Sequence, residues 1–146
     1  MYASKQLYNH TGTIRIVIAD DHSIFLQGIT FLLKDESRIK IVGQASNGRE
    51  LIRLVEEEKP DVVITDIMMP AIDGIEATKL IISQFPQIGV IALSMFDNES
   101  LVLEMLEAGA KGFLLKTTTK EEIIEAVTTV SRKGTYYCTK TSNKLV

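Results

Sequence analysis

Apolar runs of strand length alternate along this chain with stretches whose apolar residues recur every three or four positions. The first run, Ile14-Arg15-Ile16-Val17-Ile18-Ala19, predicts a strand that ends at Asp20-Asp21. From Ser23 to about Asp35, Ile24, Phe25, Ile29, Leu32 and Leu33 carry helical spacing. Ile39 to Ala45 predicts a second strand, and Asn47-Gly48 turns into a helix bearing Leu51, Ile52, Leu54 and Val55. The third strand is Val62 to Thr65. A third helix runs from Gly74 to about Phe85 and stops before Pro86, whose ring disfavours helical geometry in the preceding residue. Gly89 to Leu93 predicts a fourth strand, and Glu99 to Glu107 a fourth helix closed by Gly109. Phe113-Leu114-Leu115 forms a short fifth strand. Thr119-Lys120-Glu121-Glu122 has the capping-box pattern and opens a fifth helix with Ile123, Ile124, Val127 and Val130 on one face.

Five strands and five helices in strict alternation, with strands apolar throughout, predict a parallel sheet covered on both faces. The fold class is therefore a doubly wound, five-stranded α/β domain. Its expected span is 14–133, after a polar lead-in at 1–13. The stretch 134–146 is polar without an apolar period and reads as a linker or a truncated C-terminal tail.

Composition narrows the function classes. The 146 residues suffice for one domain with a full core, and 45% hydrophobic with 24% charged content excludes a disordered chain. Sixteen basic against 19 acidic residues, net −3, give no electrostatic footing for direct nucleic-acid binding. The apolar runs fall far short of the ~20 residues that cross a bilayer, and the N-terminus lacks the apolar core of a secretory signal. The single cysteine, Cys138, cannot form an internal disulfide, which predicts a reducing, cytoplasmic setting and an incidental thiol. Neither GxxxxGK nor GxGxxG occurs, so nucleotide binding has no support.

In a doubly wound fold, ligands bind beyond the carboxyl ends of the strands. Strand one delivers Asp20 and Asp21 there, strand two the small Ala45 and Ser46, strand three Asp66, strand four Ser94 and strand five Lys116. Each has a plain structural reading. Asp20 and Asp21 can cap the first helix, Ser94 can cap the fourth, and Lys116 can be a solvated turn residue. Asp66 resists such a reading more than the others, because Val62-Val63-Ile64-Thr65 and Ile67-Met68-Met69-Pro70 flank a carboxylate that is costly to desolvate.

Their convergence also carries a cost. Two like charges about 4 Å apart repel by about 4 kcal/mol at an effective dielectric of about 20. Three clustered carboxylates thus ask for on the order of 10 kcal/mol of compensation before screening. One lysine is not enough. A divalent cation is, and an all-oxygen set of few ligands suits Mg²⁺, which shares phosphate oxygens readily. The implied chemistry is phosphoryl transfer to an aspartate.

The stretches IVIADDHSIFLQGI, PDVVITDIMMPAIDGIEAT, ALSMFDNE and AGAKGFLLK, in this order, resemble the receiver domain of two-component response regulators, and their wording resembles the NarL/FixJ (LuxR-type) subfamily. The resemblance implies a flavodoxin-like fold with strand order 2-1-3-4-5. It makes Asp66 the phospho-acceptor, and it gives Mg²⁺ the ligands Asp20, Asp21, Asp66 and the backbone carbonyl of Met68. Ser94 would bond the arriving phosphoryl group and Lys116 would pair with it. Ser94 and Phe113 would form the switch. The implied partners are a sensor histidine kinase and, through a C-terminal helix-turn-helix domain not in this chain, DNA. The resemblance allows for a homodimer on phosphorylation and implies no membrane.

Some positions depart from the family pattern. Thr117 follows Lys116 where the family often has a cis proline, leaving that peptide's isomer open. Phe113 lacks the hydroxyl of the usual tyrosine, and Met95 stands where many receivers carry a small residue. Met68 and Phe96 flank the expected approach of water to the phosphoryl group. His22 and Asp73 read as surface residues at helix starts, and Pro70 and Gly74 as loop-shaping residues.

A second function class is an Mg²⁺-dependent aspartyl-phosphate phosphatase of the haloacid-dehalogenase kind. That chemistry needs a second acid two residues after the nucleophile, where this chain has Met68. A third, an interaction domain that is never phosphorylated, leaves the full acidic set unexplained. The reading that results is a signalling phospho-acceptor rather than an enzyme, at most self-phosphorylating from small donors and self-dephosphorylating.

Overall fold

Alternation along the strands divides the core in two. The computed structural model describes residues 12–95 and 97–137, so Phe96 and Cys138 lie outside the described residues, as do the first eleven residues and the end of the tail. The elements, in order, are β1 (Ile14–Ala19), α1 (Ser23–Leu33), β2 (Ile39–Ala45), α2 (Gly48–Glu58), β3 (Val62–Asp66), α3 (Gly74–Gln84), β4 (Gly89–Ser94), α4 (Glu99–Ala108), β5 (Gly112–Leu115), α5 (Lys120–Ser131) and β6 (Tyr136–Tyr137). Successive strand side chains point to opposite faces. Val17, Val63, Val90, Ala92 and Phe113 therefore face Leu51 and Val55 of α2, Ala77 and Ile81 of α3, and Val102 and Met105 of α4. Ile16, Ile18, Ile64, Leu93 and Leu114 face Leu26 and Ile29 of α1 and Ile123 and Val127 of α5. Both layers are dry, which is why the strands read as continuously apolar.

All pairings are parallel, in the order β2-β1-β3-β4-β5-β6. The doubly wound α/β expectation and the order 2-1-3-4-5 hold, with a sixth, two-residue strand added at the edge of β5. That strand has too few residues to show a period in the sequence. The turn that makes it is visible only in structure: Lys133 adopts a left-handed φ of 71°, and the Gly134 N–H donates to Thr129 O at 2.9 Å. The chain then reverses, and Tyr136 N–H donates to Lys111 O at 2.9 Å.

Helix boundaries follow local capping. Asn47, Asp73 and Asn98 each accept a backbone N–H with the side chain at the starts of α2, α3 and α4. The capping box between Thr119 and Glu122 is formed in both directions. Gly109 closes α4 with φ 113°, a conformation that glycine adopts without strain. Helix α1 ends with its last apolar position, Leu33, two residues short of the expected Asp35, because Lys34 and Asp35 form a turn. No helix among the described residues is long and apolar enough to cross a membrane.

Candidate functional site

Register brings the strand ends level. Ala19 pairs with Thr65, Asp66 with Leu93, and Ser94 with Leu115. The residue after each of β1 and β5 therefore emerges beside the last residue of β3. Backbone bonds fix this edge: Asp20 N–H donates to Ala45 O at 3.0 Å, Ile67 N–H to Leu93 O at 3.2 Å, and Lys116 N–H to Ser94 O at 2.8 Å. Gly74 lets α3 start against β3. A Cβ there would stand 2.2 Å from the Asp66 carbonyl oxygen, so no other residue fits without moving the strand end. The loop between them also holds Ala71 in a left-handed conformation, φ 69°, a cost of roughly 1 kcal/mol for an L-residue.

The side chains converge as the sequence predicts. Asp20 is fully buried, and Asp66 and Ser94 are buried with it. Asp21 faces solvent with about a third of its side chain accessible. The Lys116 side chain is 5% exposed, and its ammonium stands 2.6 Å from Asp20 Oδ2 and 3.1 Å from Asp66 Oδ2. This excludes the reading of Lys116 as a solvated turn residue. Its ammonium also lies 5.1 Å from the centre of the Phe25 ring, a cation–π distance. Asn98, not Ser94, caps α4. The remaining Asp66 oxygen, Oδ1, accepts a long bond of 3.4 Å from Met68 N–H.

His22 joins this group, although its position at a helix start suggested only a surface role. Its ring is 64% exposed. Its Nδ1 nevertheless lies 3.0 Å from Asp20 Oδ1, 3.3 Å from Asp21 Oδ1 and 3.3 Å from the Lys116 ammonium. The backbone N–H of His22 donates to Asp20 Oδ1 at 2.9 Å. The signal in the sequence was adjacency to the acidic pair, which alone does not say which way the ring turns.

Burial pushes the Asp66 carboxyl above the usual carboxylate range, and the nearby charge of Asp20 adds to this, against the opposing hydrogen bond and charge of Lys116. For Lys116, desolvation is the largest single influence and lowers its pKa. The two carboxylates it pairs with, Asp20 and Asp66, together outweigh it and hold the ammonium above its ordinary value.

The donor set suits a hard divalent cation. Asp20, Asp21, His22 and Asp66 each offer an atom within 4.8 Å of the others. Three carboxylates face one ammonium, leaving an excess of about two negative charges. Asp20 Oδ2 is buried against the Lys116 ammonium at 2.6 Å, a charge that Asp66 Oδ2 shares at 3.1 Å. One ammonium shared between two buried carboxylates, with Asp21 beside them, leaves carboxylate charge that a cation, directly or through its water, can offset. Asp21 and Asp66, but not the fully buried Asp20, line a cavity of about 310 Å³ together with Met68, Ser94, Met95 and Lys116.

Comparison with known proteins matches this arrangement to one family. Residues 16–128 match the response regulator receiver domain. The chain belongs to the response regulator receiver domain family. This receiver domain is 39% identical over 133 residues to the transcriptional regulatory protein DegU of Brevibacillus brevis, covering 91% of this chain and 56% of that protein. A two-component response regulator of the LuxR family from Aurantimonas superposes with TM-score 0.84 at 27% identity, covering 90% of this chain and 94% of that one. The isolated receiver domain of RcsB from Salmonella enterica serovar Typhimurium, solved in the presence of phosphomimetic BeF₃⁻, gives TM-score 0.81 at 28% identity, with 90% and 97% covered. The affinity with NarL-type, LuxR-family regulators read from the sequence therefore holds. The chain spans about half to three fifths of the length of the curated relatives it matches.

In this receiver domain the departures from the family pattern take definite form. No cis peptide occurs among the described residues, so Lys116–Thr117 is trans. Phe113 is buried to 1% exposure within the core layer of α2, α3 and α4, so its ring is packed inward. Met68 and Met95 are both more than half exposed at the rim of the cavity.

Proposed function

We propose that this domain accepts a phosphoryl group on Asp66, in an Mg²⁺-dependent reaction with a sensor histidine kinase, and so switches a downstream output. The observation that carries this reading is a buried Asp66 carboxylate tied at 3.1 Å to Lys116. It lies within 4.8 Å of Asp20 and Asp21 at the mouth of an open cavity. In the transfer, an Asp66 oxygen forms the new bond to phosphorus as the bond from phosphorus to the kinase imidazole breaks, and its electron pair leaves with the imidazole nitrogen. Burial raises the basicity of that oxygen, and Lys116 keeps it oriented and pairs with the phosphoryl oxygens once they arrive. Ser94, the last residue of β4, would donate its hydroxyl to the same group, and Phe113 would repack behind it. Asp20, Asp21, Asp66 and the Met68 carbonyl would hold Mg²⁺, which when bound offsets negative charge on the phosphoryl oxygens.

The remaining length of the relatives, and the description of DegU as a transcriptional regulatory protein, support an output through a DNA-binding helix-turn-helix domain following the tail at 134–146, with dimerisation on phosphorylation. The setting is cytoplasmic, and the domain acts as a signalling phospho-acceptor rather than a catalyst on external substrates. The phosphatase alternative lacks its second acid, because Met68 stands at that position.

Mass spectrometry after acetyl phosphate treatment, with and without Mg²⁺, tests the proposal. A labile adduct of one phosphoryl group should form only with Mg²⁺, and Asp66→Asn should abolish it while leaving the far-UV circular dichroism unchanged. Adduct formation by the variant at the wild-type rate would refute the assignment.

A further inference from the structure

Lys116 has a neighbour that the phosphoryl-transfer reading leaves unused. Its ammonium stands over the Phe25 ring, 5.1 Å from the ring centre. Helix α1 fixes that ring: Leu26 and Ile29 are buried in the core, and the half-buried Phe25 packs against the same layer. Lys116 also lines two cavities. One is the cavity at Asp66, and the other is an apolar groove of about 450 Å³ that it shares with Ile24, Phe25, Gly28 and Leu32. Phe25 lines the groove but not the site cavity, so ring and carboxylates hold the lysine from different sides. Between them the Lys116 side chain is only 5% exposed.

The two kinds of partner respond differently to a phosphoryl group. Asp66 holds the ammonium by charge at 3.1 Å, and that pairing is shared with the phosphoryl oxygens once they arrive. An aromatic face attracts a cation through its quadrupole, more strongly where water is excluded, and brings no net charge to repel the incoming anion. Its hold on Lys116 therefore outlasts the exchange. A lysine stem also has rotamer freedom to lose, and one that is already fixed loses less when the transferred group binds. We infer that Phe25 is a positioning residue for the transfer: its ring face keeps the Lys116 ammonium in line with Asp66 before and after the group arrives. An aliphatic side chain of similar size fills the same space without that hold. The inference rests on the phosphoryl-transfer reading of the site and adds to it a residue that acts through Lys116.

The test follows the phosphoryl adduct by intact mass, with acetyl phosphate and saturating Mg²⁺, in wild type, Phe25→Leu, Phe25→Met and Phe25→Tyr. Leucine and methionine keep apolar bulk without a ring, and tyrosine keeps the ring. The two aliphatic variants should form the adduct about fivefold more slowly, the equivalent of about 1 kcal/mol and within the usual worth of a cation–π contact. Phe25→Tyr should stay close to the wild-type rate. Proton NMR of the unphosphorylated protein reads the contact directly. The ε-methylene protons of Lys116 should be ring-shifted upfield in wild type and Phe25→Tyr, and unshifted in the aliphatic variants. A wild-type rate in either aliphatic variant, or Phe25→Tyr as slow as Phe25→Leu, overturns the role of the ring while Asp66 remains the acceptor. Loss of fold in both aliphatic variants, seen by circular dichroism, assigns Phe25 to the core and overturns it too. So does a wild type without ring-shifted Lys116 protons. No adduct in wild type would instead overturn the phosphoryl-transfer reading, and this inference with it.

Discussion

The two ends of the sheet carry charge in opposite ways. At the amino ends of the strands, Arg15 of β1 pairs with Glu58 at 2.9 Å, and both side chains are more than a third exposed. The same guanidinium donates to the carbonyls of Glu58 and Lys59 at 2.6 and 3.2 Å, satisfying acceptors that the C-terminus of α2 leaves open. Arg15 N–H donates to Asp61 Oδ2 at 2.8 Å. Here charges are matched, wet and bonded to backbone. At the carboxyl ends, three carboxylates gather with one buried ammonium, which Asp20 and Asp66 share. The first arrangement closes off a fold. The second costs stability, and a cluster held against that cost is one that a ligand is expected to use.

The sharpest way to break this contrast is to remove the single cation of the buried end. Lys116→Met keeps the aliphatic bulk but leaves Asp20 and Asp66 buried without an ion-pair partner, which should destabilise the fold by about 3–5 kcal/mol. Urea denaturation at neutral pH reads this, and a loss below about 1 kcal/mol would show that the cluster is far better solvated than it looks. The sign with pH follows from the raised pKa of Lys116. Its pairing stabilises the fold fully below the ordinary lysine value of 10.5 and fades as pH rises through the raised folded-state value. The gap between wild type and variant should therefore close in strong alkali.

The contrast sharpens when the excess acid is removed instead. Asp66→Asn deletes a carboxylate that burial makes costly to ionise, while Asp20 remains beside Lys116. The variant should be more stable than wild type at neutral pH, read as a higher melting temperature. A raised folded pKa means that the cost of ionisation enters as pH rises from 3.8 through the folded value and stays thereafter. The advantage of the variant should accordingly vanish below pH 3.8, where the carboxyl is protonated in both states. A variant less stable than wild type at neutral pH would mean that Asp66 is a net stabilising group, like the charges at the other end.

Much of this was legible in the sequence for a physical reason. Strands buried on both faces are continuously apolar, and the residue that ends such a run is conspicuous when charged. Asp20, Asp66 and Lys116 were therefore readable as strand-end residues, and parallel register brings strand ends together. What was not legible depended on side-chain direction or on very short elements. His22 is the exposed helix-start residue that its position suggests, and only coordinates show that its ring also turns onto the acidic pair. Asp73 reads as a surface residue at a helix start, and the structure makes it the N-cap of α3, accepting from Glu76 N–H at 2.9 Å. The role of Gly74 is a close approach between segments that are distant along the backbone path, which no local pattern encodes. Strand β6 escaped because two residues have no periodicity.

The smallest effect belongs to the exposed end and serves as its control. Glu58→Gln removes the charge that faces Arg15 but keeps the backbone carbonyls that the guanidinium also reaches. Exposed ion pairs are worth roughly 0.2–1 kcal/mol, and the retained bonds place this one toward the low end. Screening supplies a second handle. At about 1 M salt the Debye length is about 3 Å, so the residual effect of Glu58→Gln should largely disappear. The loss in Lys116→Met should largely persist at the same concentration of monovalent salt, because buried charges are screened far less than exposed ones. Paired denaturation curves of both variants at low and high salt give the comparison. Equal salt sensitivity at the two ends would mean that burial does not separate them, and the difference drawn between them would fail.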